Sequence, residues 1–206
     1  MIINPKIEKY LEKLSFEEKN DPIIKEMEEI AKKENFPIVG SLVGRFLYII
    51  TKQKNPSLIV ELGSGYGYSA YWFAKALNKG KVVLIDYQEK NIEKAKEFFK
   101  RAGLEKKAEF KVGDALEIAK EYKNIDILFL DLEKSRYLEA IQSLEKNLSE
   151  NALIIADNVL WHGKVINEKP DKKTLAIKQF NEYMFKHYFS AIIPIRDGIL
   201  LSIKNS

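Results

Sequence analysis

Apolar residues in the first quarter of the chain recur at helical intervals. Ile7, Leu11 and Leu14 keep that spacing, and Asp21 followed by Pro22 reads as an N-cap and first helical residue leading into Ile23, Met27 and Ile30. A further helix is predicted from about 39 to 52, with Leu42, Phe46, Ile49 and Ile50 on its apolar side. From Ser57 the period changes. Short β-branched runs at 58–61, 82–86, 109–112, 127–131 and 153–156 alternate with amphipathic stretches such as 91–100, which turns Ile92, Ala95, Phe98 and Phe99 inward. That alternation predicts a parallel sheet with helices on both faces. The tail departs from it. Runs at 191–195 and 199–203 are separated only by Arg196-Asp-Gly198, long enough for a hairpin and too short for a right-handed crossover. One antiparallel strand near the C-terminus is therefore expected.

No repeat, low-complexity tract or linker interrupts this pattern, so 1–206 reads as a single domain. Within it, 1–56 forms an N-terminal helical cap and 57–206 an α/β core. The charge balance is mixed, 34 basic against 30 acidic residues for a net +4, which permits an acidic partner without arguing for one. The absence of cysteine excludes disulfides, thiolate metal sites and thiol nucleophiles. No run approaches the roughly 18 apolar residues of a membrane span. The Met1-Ile-Ile-Asn-Pro start is too short and too soon charged for a signal peptide, so a cytoplasmic protein is expected.

Carboxylates mark the strand ends. Glu61, Asp86, Asp131 and Asp157 end or directly follow apolar runs, and Asp114 follows another after Gly113. Ligands of such sheets collect at that edge, and this many carboxylates there require a cation or hydrogen-bond donors. Between Glu61 and Ser69 lies Gly63-Ser64-Gly65-Tyr66-Gly67, a turn that lets backbone approach a ligand. Its glycines run G-x-G-x-G, with Tyr68 where a dinucleotide fingerprint needs its last small residue. Glu61 would repel a pyrophosphate and attract an ammonium group, which favours S-adenosylmethionine over NAD and weighs against an NAD-dependent oxidoreductase. Asp86 lies where an acidic residue takes ribose hydroxyls, a helix cap being its plainer role. Asp114 serves equally as an adenine contact or an N-cap. Asp131, Asp157 and Asn158 can converge as oxygen ligands from adjacent strand ends, a donor set suited to Mg²⁺, Mn²⁺ or Ca²⁺ rather than zinc. Read separately, Asp157-Asn158 is a turn or cap.

Three motifs, Glu61-Leu-Gly-Ser-Gly-Tyr-Gly-Tyr-Ser69, Asp131-x-x-Lys134-x-x-Tyr137 and Asp157-Asn-Val-Leu160, resemble the cation-dependent O-methyltransferases of the catechol and caffeoyl-coenzyme A type. The resemblance runs from about Asp21 to the C-terminus. It implies a Rossmann-like S-adenosylmethionine-dependent methyltransferase fold: a seven-stranded, mostly parallel sheet with one antiparallel strand near the C-terminus, helices on both faces and extra N-terminal helices. It further implies Asp131, Asp157 and Asn158 as metal ligands and Lys134 as general base. The cofactor would lie among Glu61, Gly63, Ser64, Gly65, Tyr66, Gly67, Ser69, Asp86, Gly113, Asp114 and Asp131. A homodimer is expected on the same ground.

In that reading two vicinal substrate oxygens chelate the cation, which acidifies the hydroxyl, and a partly desolvated Lys134 of depressed pKa takes its proton. Leu132-Glu133 stand where the catechol enzymes carry aromatic gatekeepers, so a more open, acidic mouth is expected. Trp161 would form one wall, while His162 either touches substrate or is a plain loop residue. The stretch 163–174, with Lys164, Lys169, Lys172 and Lys173, reads as a lid or a solvated face. Two acceptors fit: a small catechol-like phenol, or the 5-hydroxyuridine of a tRNA. The second follows from a similarity to bacterial tRNA hydroxyuridine methyltransferases, clearest in Asp21-Pro22, Asn35-Phe-Pro-Ile38 and 157–163.

Overall fold

The predicted apolar runs form strands in the computed structural model of the chain, which describes residues 4–17 and 21–204; the Met1-Ile-Ile start read above lies outside them. Strands β1 (Leu58–Leu62), β2 (Lys81–Asp86), β3 (Ala108–Val112), β4 (Ile125–Leu130) and β5 (Leu148–Ala156) are joined by β6 (Phe189–Ile193) and β7 (Ile199–Ile203). They make one seven-stranded sheet of order β3-β2-β1-β4-β5-β7-β6. Pairing is parallel from β3 through β5, while β7 runs antiparallel to both β5 and β6. The expected hairpin is present, but its second strand lies inside the sheet and β6 takes the edge. The strand order reverses at β1, so the crevice between the carboxyl ends of β1 and β4 is the topological switch point where ligands bind.

Side-chain alternation divides the core between the two faces of the sheet. Ile59, Leu84 and Phe129 face helices α2 (Pro22–Glu34), α3 (Gly40–Lys54), α4 (Tyr68–Ala76) and α5 (Glu89–Arg101), meeting Met27, Leu47, Phe73 and Phe99. Val60, Val83 and Leu128 face α6 (Ala115–Ala119), α7 (Tyr137–Leu144) and α8 (Lys172–His187), meeting Leu116, Ile141 and Phe180. The central strands carry apolar residues on both sides because helices cover both. The first helix, α1 (Pro5–Glu17), leaves Ile7, Tyr10 and Leu14 largely in solvent. Among the described residues no helix is long and apolar enough to cross a membrane.

Polar ties fasten α2 to the rest. The Asp21 carboxylate caps α2 by accepting from the N–H groups of Ile23 and Ile24 at 2.9 and 3.3 Å. It also accepts from the Tyr71 hydroxyl at 3.0 Å and from Lys75 Nζ at 2.7 Å, both on α4. Burial pushes the Asp21 carboxyl up, but Lys75, Tyr71 and the helix N–H outweigh it and hold it below the usual range. Further along α2, Tyr66 donates to the Met27 carbonyl at 2.9 Å and Tyr68 donates to Glu28. Asp21→Ala removes a cap and a shielded ion pair together, so a loss of about 2–3 kcal/mol is expected. Urea unfolding checks it; a loss below about 0.5 kcal/mol, the range of ordinary surface changes, would show that the tie to α4 is idle.

Candidate active site

Strand β1 ends in a turn that only glycine can make. Gly63 has φ 87°, and a Cβ there would stand 2.5 Å from the Asp131 carbonyl oxygen, so the loop after β1 presses on the end of β4. Gly65, at φ 51°, lies under the Phe36 ring, 2.9 Å from where its Cβ would be. The N–H groups of Gly63 and Ser64 both donate to the Ile85 carbonyl at 3.0 Å, and Ser64 Oγ accepts from the Ile85 N–H at 3.0 Å, which locks the loop to β2.

This loop forms the floor of a cavity of about 1860 Å³, bounded also by the ends of β2, β3, β4 and β5 and by α2 and α3. Single ligand sites commonly enclose about 300–1,000 Å³, so the space admits two ligands side by side. Gly63, Ser64, Gly65, Tyr66, Ser69 and Asp86 line it, as do Gly113, Asp114, Asp131, Lys134, Asp157 and Asn158. Two of the expected cofactor residues do not. Gly67 turns to the core, where a Cβ would meet Leu84 and Ala95. Glu61 is wholly buried beneath the floor, one oxygen accepting from Ser69 Oγ and the other, Oε2, without a hydrogen-bond partner.

Tyr66 commits its hydroxyl to α2 and tilts its ring against Phe36 at 4.6 Å, so it anchors the cap as well as lining the wall. The Asp86 carboxylate accepts from the Gly65 N–H at 3.0 Å, the Gln88 N–H at 2.8 Å and Asn91 Nδ2 at 3.0 Å. That uses three of roughly four lone-pair positions and leaves capacity for one more donor. Asp114 is an N-cap, accepting from Leu116 and Glu117 N–H at 3.0 and 3.1 Å, and is also gripped by Arg136 at 2.7 Å. The Arg136 guanidinium brings its carboxyl down to about 2.

Burial pushes Glu61 from 4.5 up to about 8, and the charges of Asp131 and Asp86 add to the rise against the Ser69 and Ser64 hydroxyls. Between those pH values the folded chain holds a proton at Glu61 that the unfolded chain has lost, so stability falls as pH rises through that window and levels off above it. Glu61→Gln mimics the protonated acid. Relative to it, the wild type is expected to lose up to about 1.4 kcal/mol per pH unit across the window. Parallel urea titrations of the two proteins at several pH values would sink this if the curves stayed parallel.

At the other end of the cavity, Asp131 and Asp157 are the next residues after the paired ends of β4 and β5, where Leu130 lies opposite Ala156. Their N–H groups donate to Leu62 and Leu130 carbonyls at 3.0 and 3.1 Å, which fixes both at the sheet edge. Burial raises both carboxyls, and the charge of Asp131 raises Asp157 further. Asn158 follows in a left-handed conformation, φ 59°, and its N–H donates to Asp157 Oδ1 at 2.8 Å. Among the described residues no three His, Cys, Asp or Glu side chains cluster as a metal site. The donors that share this wall are two carboxylates and an amide oxygen, a set that fits a hard divalent cation.

Lys134, in a short turn after β4, donates to Asp131 Oδ1 at 2.9 Å and to the Tyr137 hydroxyl at 2.7 Å. Tyr137 is fully buried, its hydroxyl 2.9 and 3.0 Å from the carbonyl oxygens of Leu130 and Asp157. It braces the ends of β4 and β5 and holds Lys134 between them. Burial alone would lower the Lys134 pKa, but Tyr137, Asp131 and Asp157 outweigh it and hold the ammonium well above its ordinary range. The depressed pKa expected from the sequence is reversed because Tyr137 and two carboxylates surround one lysine.

Sequence reasoning also missed Arg196, at the turn between β6 and β7, which lines the cavity and donates to the Ile38 carbonyl at 2.8 Å. In the stretch 163–174, read as a lid or a solvated face, Lys164, Lys169, Lys172 and Lys173 are all exposed. Its start belongs to a short helical turn over Trp161–Ile166, and its end to α8, capped by Asp171 with Thr174 buried. Glu133 lies at the mouth as expected.

A family model described as O-methyltransferase matches residues 12–205. The chain is 31% identical over 145 residues to a catechol O-methyltransferase of Niastella koreensis, covering 67% of this chain and 66% of that protein. It is 31% identical over 197 residues to caffeoyl-CoA O-methyltransferase 2 of Petunia hybrida, covering 86% and 81%. The crystal structure of a methyltransferase from Geobacter sulfurreducens is 34% identical and superposes with a TM-score of 0.87 over 100% of this chain and 98% of that one.

Proposed function

This chain belongs to the O-methyltransferase family, and from that premise we propose that it transfers the methyl group of S-adenosylmethionine to one hydroxyl of a small catechol-like acceptor. Asp131, Asp157 and Asn158 would hold a divalent cation, Mg²⁺ first and Mn²⁺ or Ca²⁺ as alternatives. The observation that carries this reading is the hydrogen-bonded cluster of Asp131, Lys134, Tyr137 and Asp157 at one end of a cavity with space for two ligands.

The cofactor supplies an electrophilic methyl group and the cation a positive charge that acidifies a neighbouring hydroxyl. The chain's own residues do the rest. Gly63, Ser64, Gly65 and Ser69 would form the surface the cofactor packs on, and the spare acceptor position of Asp86 suits a ribose hydroxyl. Asp131, Asp157 and Asn158 would hold the cation, and Lys134, fixed between Asp131 and Tyr137, would take the acceptor's proton on Nζ. The sheet edge and the α2 cap would hold both reactants in place, a large source of rate in a transfer between two bound molecules.

The reading extends to a cytoplasmic homodimer, with 1–206 acting as one unit. Ile7, Tyr10 and Leu14, 51%, 60% and 46% exposed on one side of α1, form a stripe that a second copy would cover. Label transfer from methyl-labelled cofactor to catechol, to a hydroxycinnamoyl ortho-diphenol and to unmodified tRNA tests the acceptor. Label in the ortho-diphenols is expected. Label in tRNA alone would replace the substrate class, and label in none would overturn the reading.

A further inference from the structure

The wall beyond the metal-ligand pair is built on the turn between β6 and β7. Val159 and Leu160 donate to the Gly198 and Asp197 carbonyls at 3.1 and 2.9 Å. The chain then passes through consecutive left-handed residues, Trp161 at φ 46°, His162 at φ 55° and Gly163 at φ 77°. Such a conformation is costly for non-glycine residues and persists only where the surroundings enforce it. Here Asp197 enforces it by accepting the His162 N–H on Oδ1.

Its other oxygen, Oδ2, is buried without a hydrogen-bond partner and lies 3.5 Å from His162 Nδ1. A buried carboxylate oxygen without a donor is costly, and the nearby imidazole can satisfy it. The outer torsion of histidine is broad, so a small rotation brings Nδ1–H onto Oδ2. The ring itself is 69% exposed, and it lines the same cavity as Asp131, Lys134 and Asp157, beside the Trp161 ring at 5.6 Å.

We propose that Asp197 fixes His162 in the tautomer with its proton on Nδ1, so that Nε2 offers a hydrogen-bond acceptor to the far side of the methyl acceptor. His162 then selects substrates bearing a hydroxyl or N–H group away from the reacting oxygen, with Trp161 as the flat wall beside it. Asp197 is a positioning residue that acts only through His162. The proposal rests on the O-methyl transfer reading above.

The chain contains two histidines, so imidazole ¹⁵N resonances are assigned with His162→Gln. At a pH where the ring is neutral, wild type is expected to show the Nδ1–H tautomer. Asp197→Asn turns an amide N–H toward Nδ1 and is expected to move the proton to Nε2. An Nε2–H tautomer in wild type, or no change in Asp197→Asn, overturns the proposal whether or not any acceptor is methylated. The second arm compares ortho-diphenols that carry either a hydroxyl or a methoxy group at a distal ring position. Wild type is expected to favour the hydroxyl by about tenfold in KM, the worth of one good hydrogen bond, with kcat unmoved. His162→Ala is expected to erase the preference with cofactor affinity intact; a preference that survives also overturns the proposal. Wild type inactive on every ortho-diphenol would instead strike the reading of the reaction, leaving the tautomer to decide the Asp197–His162 pair.

Discussion

Lys134→Ala is expected to lower kcat by about 10²- to 10⁴-fold, the range of a positioned general base, while S-adenosylmethionine affinity stays near that of wild type. The side chain is 10% exposed and bridges Asp131 and Tyr137, so truncation removes both a proton acceptor and the positive charge beside the carboxylates of Asp131 and Asp157. Lys134→Arg separates these roles. Arginine keeps the charge but does not give up its proton. It is expected to preserve the fold and remain as slow as the Ala variant; recovery of activity in Arg would mean that Lys134 serves as a counter-charge only. Single-turnover methyl transfer with calorimetry on the cofactor reads both quantities, and unchanged turnover in Ala would remove the base assignment.

Chelation with EDTA is expected to reduce methyl transfer by roughly a thousandfold or more, the several kcal/mol that a bound cation contributes to charge stabilisation, with recovery on adding Mg²⁺. Asp157→Asn is expected to match the chelated enzyme and to resist rescue by Mg²⁺. Its stability should move the other way. Burial and the Asp131 charge already raise the Asp157 carboxyl, so a neutral amide relieves a like-charge pair and is expected to raise the melting temperature of the metal-free protein. Full activity in EDTA would sink the cation; an active Asp157→Asn would leave the cation and remove this ligand.

Sheet and motif positions were legible because they rest on local pattern. The period of apolar residues located the strands, and carboxylates at their ends marked the ligand edge before any packing was known. What could not be read depends on residues far apart in sequence. A tyrosine inside a glycine loop reads as a ligand contact, yet Tyr66 spends its hydroxyl on Met27, part of a helix packed over it. Asp114 seemed equally a cap or an adenine contact until Arg136, on another loop, took hold of it. The sign of the Lys134 shift depended on Tyr137 and two carboxylates gathering around one ammonium, and spacing does not reveal that gathering. His162 and Asp197 likewise carry no joint signal in the sequence, although folding places them in contact.

The position of β7 has a consequence for the order of assembly. Strand β6 touches the sheet through β7 alone, although β6 leaves the ribosome first. It therefore joins the sheet only as one arm of the β6–β7 hairpin, whose other arm pairs with β5. The turn that joins the two strands carries Arg196 into the cavity wall and sets Asp197 behind it, against the His162 N–H. The cofactor half of the edge, built on β1 to β3, has no such dependence. The two sides of the pocket thus differ in what they rest on: one on parallel strands in the middle of the sheet, the other on the docking of a terminal hairpin.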